Sequence, residues 1–536
     1  MSTLVFTGGP ILTMGGQDGP VEAVAVADGK VVGVGPLREV LDAYADADAE
    51  VVQLQGRTLV PGFVDPHCHP LMHGQVYSWV DVSPDRVSTI DELVETLARH
   101  AAQLPPGAAV RGFGYEPGRL AERRHPDRHD LDRIAGDREV YVMNVSGHGG
   151  VVNSRTLSAN RILAGTPDPA GGRIGRDADG APDGRIWDAA CDLITGASGV
   201  KTGTHAPNFH LSDPDEVLDG QLAAAQETFL AHGVTCVGDT QVTRREMAAW
   251  QRARRAGTLR LRVSCYVLSA FLPQVLDLGL ATGLGDDRLR IAGVKFYTDG
   301  AFGCRTVYLP DGYVGEPDRH GQLYHEPAEF SRMVAETAAA GLQAAIHAQG
   351  SYAIGMAIDA VRAAPDSGLR HRVEHCALPT PDQARWMAKL GMWAVFQPSH
   401  HTTTGDWVAE TVGPDVENYS PAGMYQQCGA GWALSSDAPV AWPNPMEAIA
   451  AAVERRTVAG RTLGPQHAVT PAQALRAHTL DAAAVLGLDA VTGSIDVGKH
   501  ADFAILTANP LTCGPSELAG IKTVATWIGG REVWHA

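Results

Sequence analysis

No run of roughly 18 or more apolar residues escapes interruption by Gly, Pro or charge, so the sequence offers no membrane-spanning helix. Basic residues are in deficit: 43 Lys and Arg face 61 Asp and Glu, a formal charge of −18. That balance disfavours nucleic acid and anionic lipid as partners and leaves a small molecule as the expected one. Cysteine is sparse and scattered. The eight thiols form no C-x-x-C pair, and the opening Met-Ser-Thr-Leu-Val-Phe has neither a basic nor a long apolar leader region, which together read as reduced thiols and a cytoplasmic address. Repeats and low-complexity tracts are missing too, and the 60 Gly and 33 Pro follow no period, so collagen-like, coiled-coil and disordered classes drop out. The oligomeric state is left open, with a homodimer as one outcome.

What is present is alternation. Short apolar runs take turns with Ala-rich helical stretches at 91–103, 216–232, 327–340 and 381–390, the pattern of βαβ units and a parallel sheet. Eight runs end in a polar residue: Leu59 to His69, Thr235 to Thr240, Arg262 to Leu268, Gly293 to Asp299, Gln343 to His347, Arg372 to His375, Trp393 to Ser399 and Trp432 to Asp437. Eight is the barrel number. The steps from His347 to His375 and from Asp239 to Cys265 each fit one (β/α) unit of ~31 residues, and His375 to Asp437 fits two. The step from His69 to Thr235 is several times too long, so a large insertion is expected at about 70–215, capping the barrel, with a smaller one around Gly303 to His325. Residues 1–60 and 485–536 read as short β segments, expected to pair into one composite β-sandwich domain beside a barrel spanning 61–484. The expected fold class is α/β, a (β/α)8 TIM-like barrel with that composite domain and the inserted cap.

The chemistry gathers at the predicted strand ends. His67 and His69 share one side of their strand, because side chains alternate, so both imidazoles can grip one divalent ion. H-x-H alone is a weak signal among 21 His, and the His400-His401 pair has no strand logic. The signal grows with Lys295, His347, His375 and Asp437, each at the end of a predicted strand. In a barrel those ends meet at one mouth, and four His with one Asp make a nitrogen and oxygen set suited to Zn²⁺ or a similar ion. Cys68, between the two His, faces the other way and reads as packing.

These residues resemble a known family. The opening Pro61-Gly62-Phe63-Val64-Asp65 before His67 and His69, the later Lys, His, His and Asp, and the flanking β segments are similar to the amidohydrolase superfamily over nearly the whole chain. Gly147-His148 followed by Asn153-Ser154, Asp177-Ala178-Asp179-Gly180, Val294-Lys295-Phe296 with Asp299-Gly300-Ala301, Arg305 and His347-Ala348 resemble its family 3 branch, which includes N-substituted formamide deformylase. The sequence departs from that branch at Ser351, where the branch has Asp, and this bears on the substrate.

The resemblance implies one or two divalent ions, Zn²⁺ foremost. His67 and His69 would hold the more buried ion, Asp437 would ligate it and act as base, and His347 and His375 would hold a second. Lys295 would bridge the two as a carbamate or, alternatively, pair with Asp299 or another carboxylate. His148 would polarise a substrate carbonyl or serve structure alone. Asn153, Arg305, Trp187 and His400 are candidate substrate-binding residues, Tyr115 and Trp442 candidate lining, and Asp239 and Glu374 candidate orienters of ligands. The expected activity is hydrolysis of a non-peptide C–N bond, amide or formamide, in a small molecule. A ring deaminase and a non-catalytic amidohydrolase-like scaffold are the alternatives; the latter expects lost ligands, and none is lost.

Overall fold

The structure, a computed structural model, describes residues 3–16, 21–44, 49–196 and 199–536. Strand Phe63–Cys68 pairs in parallel with Val234–Val242, and Arg262–Leu268, Leu289–Tyr297, Gln343–Ala348, Arg372–His375, Trp393–Phe396 and Gly431–Leu434 follow in sequence order. Most residues in these strands are buried, as expected for a sheet covered on both faces. Each of the eight predicted runs overlaps one of these strands, the first run also taking in part of strand Thr58–Pro61 of another sheet. The eighth meets the first through backbone bonds, Asp437 N–H to His67 O and His69 N–H to Ala438 O, both 2.8 Å. The Ser436 N–H and hydroxyl also donate to the Asp65 carboxylate. The result is a nearly closed (β/α)8 barrel.

The four predicted helices fall at Ile90–Ala101, Asp215–Ala231, Pro327–Ala339 and Pro381–Lys389. Their starts have physical causes. Thr89 accepts the Glu92 N–H, Pro327 occupies the first turn where no N–H is needed, and Thr380 forms a reciprocal capping box with Gln383. No helix among the described residues is long and apolar enough to cross a membrane.

Both groups of terminal strands enter one eight-stranded sheet, in the order 531–535, 523–528, 503–506, 58–61, 4–11, 21–27 and 30–35, with 50–53 also pairing on 4–11. Phe6 packs edge-on against Phe503 and Trp527, with ring centroids 5.3 and 5.1 Å apart, so the two chain ends share a core. Strand Thr58–Pro61 runs on into the first barrel strand with only Gly62 between. A Cβ at Gly62 would lie 2.3 Å from Thr235 Oγ1, so nothing larger fits this joint.

The long step after His69 holds a feature the sequence did not announce. Strands Val80–Asp81, Val110–Tyr115, Val140–Asn144, Gly149–Val152, Gly172–Arg176 and Pro182–Asp188 form a separate six-stranded sheet. Several are short, and Gly149-Gly150 and Gly172 to Arg176 carry the residues of turns, so period-2 patterning is weak there. Their burial comes from packing: Leu93 and Leu97 of the 90–101 helix share an apolar cluster with Val110, Val140 and Val142.

Candidate active site

Alternation delivers the first pair of candidate ligands. His67 and His69 sit at the end of the first barrel strand with ring centroids 5.5 Å apart, and Cys68 turns into the apolar core instead. His67 Nε2 lies 3.4 Å and His69 Nε2 3.1 Å from Asp437 Oδ1. The ligand atoms of His67, His69 and Asp437 all fall within 4.8 Å of one another, as do those of His375, His400 and Asp437. His375 stands 5.0 Å from His67 and 4.4 Å from His347, centroid to centroid. Backbone is bent to reach this geometry: His375 and Asp437 hold φ of 62° and 58°, left-handed values that non-glycine residues seldom adopt.

The surroundings favour a cation. Burial, reinforced by Lys295 or a neighbouring imidazole, pushes His67, His347 and His375 well below the usual histidine range, which keeps their lone pairs available. Burial alone would push the Asp437 carboxyl up, but His67, His69 and His400 outweigh it and hold it at about 2. Several buried polar atoms have no hydrogen-bond partner: His69 Nδ1, His347 Nδ1, His400 Nε2 and Lys295 Nζ. Buried polar atoms left without partners are costly unless a ligand meets them, and the imidazole nitrogens with the Asp437 carboxylate suit a divalent ion, whereas an ammonium at Lys295 would repel one.

Glu374 orients the set. Its Oε2 accepts from His67 Nδ1 at 2.5 Å, turning Nε2 towards Asp437. Arg372, fully buried, grips both Glu374 oxygens and donates to Pro66 O at 2.7 Å. Lys295 is not paired with Asp299, whose carboxylate instead accepts the Gln349 and Gly350 N–H groups, both at 2.9 Å. The Lys295 amine stands 4.7 Å from the Tyr297 ring, and burial lowers its pKa to about 8 against the pull of Glu374 and Asp437.

His148 reaches the same place from the inserted segment. Its ring lies 5.3 Å from His347, centroid to centroid, and its Nδ1 bonds Asp188 Oδ1 at 2.8 Å. His148 and Gly147 line a cavity with His67, His69, His347, His375 and Asp437 that holds only about 20 Å³, room for a single water. Met72, Ser146, Pro207, Phe209, Tyr297 and Val440 complete its wall and were not anticipated. The alternation that paired His67 with His69 also puts Tyr297 on the face of Lys295; the others left no signal in the sequence.

Other candidates have partners elsewhere in the structure. Asn153 is spent on backbone: its side chain caps the 154–159 helix through the Thr156 N–H, accepts from Val140 N–H and donates to Arg138 O. Trp187 and Arg305 line a separate cavity of about 210 Å³, where Arg173 stacks on Trp187 and Arg305 pairs with Glu316. Tyr115 bonds His125, and Trp442 donates to His232. Asp239 accepts from Trp250 Nε1 at 2.8 Å and orients no candidate ligand. His400 is the candidate that does approach, with Nε2 3.8 Å from Asp437 Oδ2.

Fold and cluster together define a (β/α)8 barrel carrying an imidazole and carboxylate centre at its strand ends. Comparison with known proteins narrows this. The family model described as the amidohydrolase family matches residues 50–534. The chain is 30% identical to N-substituted formamide deformylase of Arthrobacter pascens, covering 99% of this chain and 98% of that one. It is 28% identical to Protein LONG AFTER FAR-RED 3 of Arabidopsis thaliana, over 100% of this chain and 92% of that one. The crystal structure of an uncharacterized metal-dependent hydrolase from Pyrococcus horikoshii superposes with a TM-score of 0.76 at 26% identity, over 96% and 99% of the two chains. The chain belongs to the amidohydrolase family.

Proposed function

We propose that the protein is a metal-dependent hydrolase that cleaves the amide or formamide C–N bond of a small molecule. The observation that carries this reading is the convergence of His67 Nε2, His69 Nε2 and Asp437 Oδ1 within 4.8 Å at the barrel mouth. The similarity to the Arthrobacter deformylase and the Pyrococcus hydrolase supports it. Those three residues would hold one divalent ion, Zn²⁺ being the ion expected, and His347 and His375 with Lys295 a second. A buried amine with a pKa near 8 has a neutral fraction that can take up CO₂ and release a proton, leaving a carbamate for bridging. When bound, the metal supplies Lewis-acid polarisation and acidifies water.

The chain supplies the rest. Asp437 accepts the proton of the attacking water and returns it to the leaving amine nitrogen. His148, protonated on both ring nitrogens and so an imidazolium paired through Nδ1 with the Asp188 carboxylate, donates from Nε2 to the carbonyl oxygen as it gains charge. Met72, Phe209 and Val440 give the cavity apolar walls, and its size in this closed form requires the cap to open before substrate enters and to exclude water afterwards. A small substrate fits that account and a polymer does not.

Metal analysis of the purified protein with a turnover panel of N-formyl and N-acyl amines tests the reading. One or two ions per chain and hydrolysis of at least one panel member are expected. His67→Ala should lose both metal and activity, and Asp437→Asn should lose ~10²–10⁴ in kcat. Full metal content with normal turnover in His67→Ala would remove these residues from the centre.

A further inference from the structure

Asp188 is fully buried, and three donors from two parts of the molecule converge on its carboxylate. His148 Nδ1 lies 2.8 Å and the Tyr324 hydroxyl 2.6 Å from Oδ1, while Gln322 Nε2 lies 2.5 Å from Oδ2. The Asp188 N–H closes the arrangement on His148 O at 2.7 Å. The Gln322 amide N–H donates to Oδ2 and the Tyr324 hydroxyl to Oδ1, since an Asp carboxylate only accepts. His148 is then left to donate from Nδ1, which fixes the ring's orientation. Its Nε2 takes no protein hydrogen bond among the described residues, and the ring borders the cavity of His67, His347 and Asp437.

Backbone strain marks the same residue. Asp188 sits at φ 52° and ψ −123°, outside the left-handed helical region that Asp tolerates. The strain is held in place by the bonds the side chain makes. Those bonds join separate parts of the chain: Asp188 ends strand Pro182–Asp188 of the inserted sheet and His148 immediately precedes its strand Gly149–Val152, while Gln322 and Tyr324 lie on the segment after the fourth barrel strand.

We propose that Asp188 is a positioning residue: it holds His148 with Nε2 aimed at the reacting carbonyl, and Gln322 and Tyr324 hold Asp188 only while the cap rests on the barrel. His148 would therefore be aligned by cap closure rather than being permanently in place. The kinetic part of this rests on the hydrolase reading above; the orientation of the ring does not.

Two measurements decide it. In a crystal structure of Asp188→Ala, the His148 ring should turn so that Nε2 leaves the cavity, with metal content unchanged. In kinetics, Asp188→Asn should lower kcat about tenfold or more with KM within about twofold, and Tyr324→Phe should do the same more weakly. The double variant Asp188→Asn with His148→Ala should be no slower than His148→Ala alone, because both act through one ring. A His148 ring that keeps its place without Asp188, or losses that simply multiply in the double variant, would overturn the proposal. Should the wild-type protein hydrolyse no panel member, the hydrolase reading fails, and the crystal structure still decides the positioning role. Tyr324→Phe keeps the question answerable if the Asp188 variants do not fold.

Discussion

Glu374→Gln tests the orientation of His67 most sharply. The wild-type carboxylate accepts from His67 Nδ1 at 2.5 Å and is gripped on both oxygens by Arg372, which is fully buried with its guanidinium 4.6 Å from the Tyr266 ring. A neutral amide weakens both roles. Loss of a hydrogen-bond partner behind a ligating histidine costs ~10–100-fold in metal affinity, or about 1.4–2.7 kcal/mol. Loss of the counter-charge leaves the Arg372 cation buried, a situation that costs ~3–5 kcal/mol when a pair is broken. Gln still offers one acceptor oxygen, so about 3 kcal/mol is expected, a large share of the ~5–15 kcal/mol that keeps a typical domain folded. Chelator competition reads the first effect, and urea unfolding of the metal-free protein reads the second. Adding Arg372→Met should recover most of the stability, since removing both partners of a buried pair is often close to neutral, yet leave the metal affinity low. A folded Glu374→Gln protein that binds metal within about twofold of wild type would refute the orienting role.

Asn153→Ala should lose ~0.5–2 kcal/mol of stability through its cap while kcat and KM stay the same; a changed KM would return Asn153 to the substrate site. Asp239 is pushed up to about 7, by burial and then by Glu246, and its Oδ1 has no partner. With a folded pKa above the unfolded 3.8, its contribution is favourable while protonated and is lost as pH rises from there through about 7. Asp239→Asn should accordingly raise Tm more at pH 8 than at pH 5, and equal shifts at the two pH values would disprove this account.

The barrel was legible because a parallel sheet covered on both faces needs unbroken apolar runs, and each run ends in a residue that apolar packing cannot explain. His69, His347, His375 and Asp437 stand out for that reason. The inserted sheet was not legible. Strands such as Gly149–Val152 carry glycine where alternation would show, and their burial comes from residues far along the chain. The partners of Asn153 and Trp187 were not legible for a related cause: backbone groups and arginines elsewhere in the chain meet them only in the folded structure. Asp188 left no signal, since its partners His148, Gln322 and Tyr324 are brought together only by tertiary structure.

The join at Gly62 has a consequence for biosynthesis. The strand that ends in His67 and His69 continues directly from Thr58–Pro61, and that strand is hydrogen-bonded along its length to Phe503–Leu506. In chain order the neighbour that clamps its root follows all eight barrel strands, so it is made only after them. Strand 4–11, the other neighbour of that root, is already made by then, so one edge of the root beneath His67 and His69 is paired early and the other edge late. Domains tend to fold as units during synthesis, so the terminal sheet beneath the first barrel strand is completed only once residues 503–506 are free to pair with 58–61.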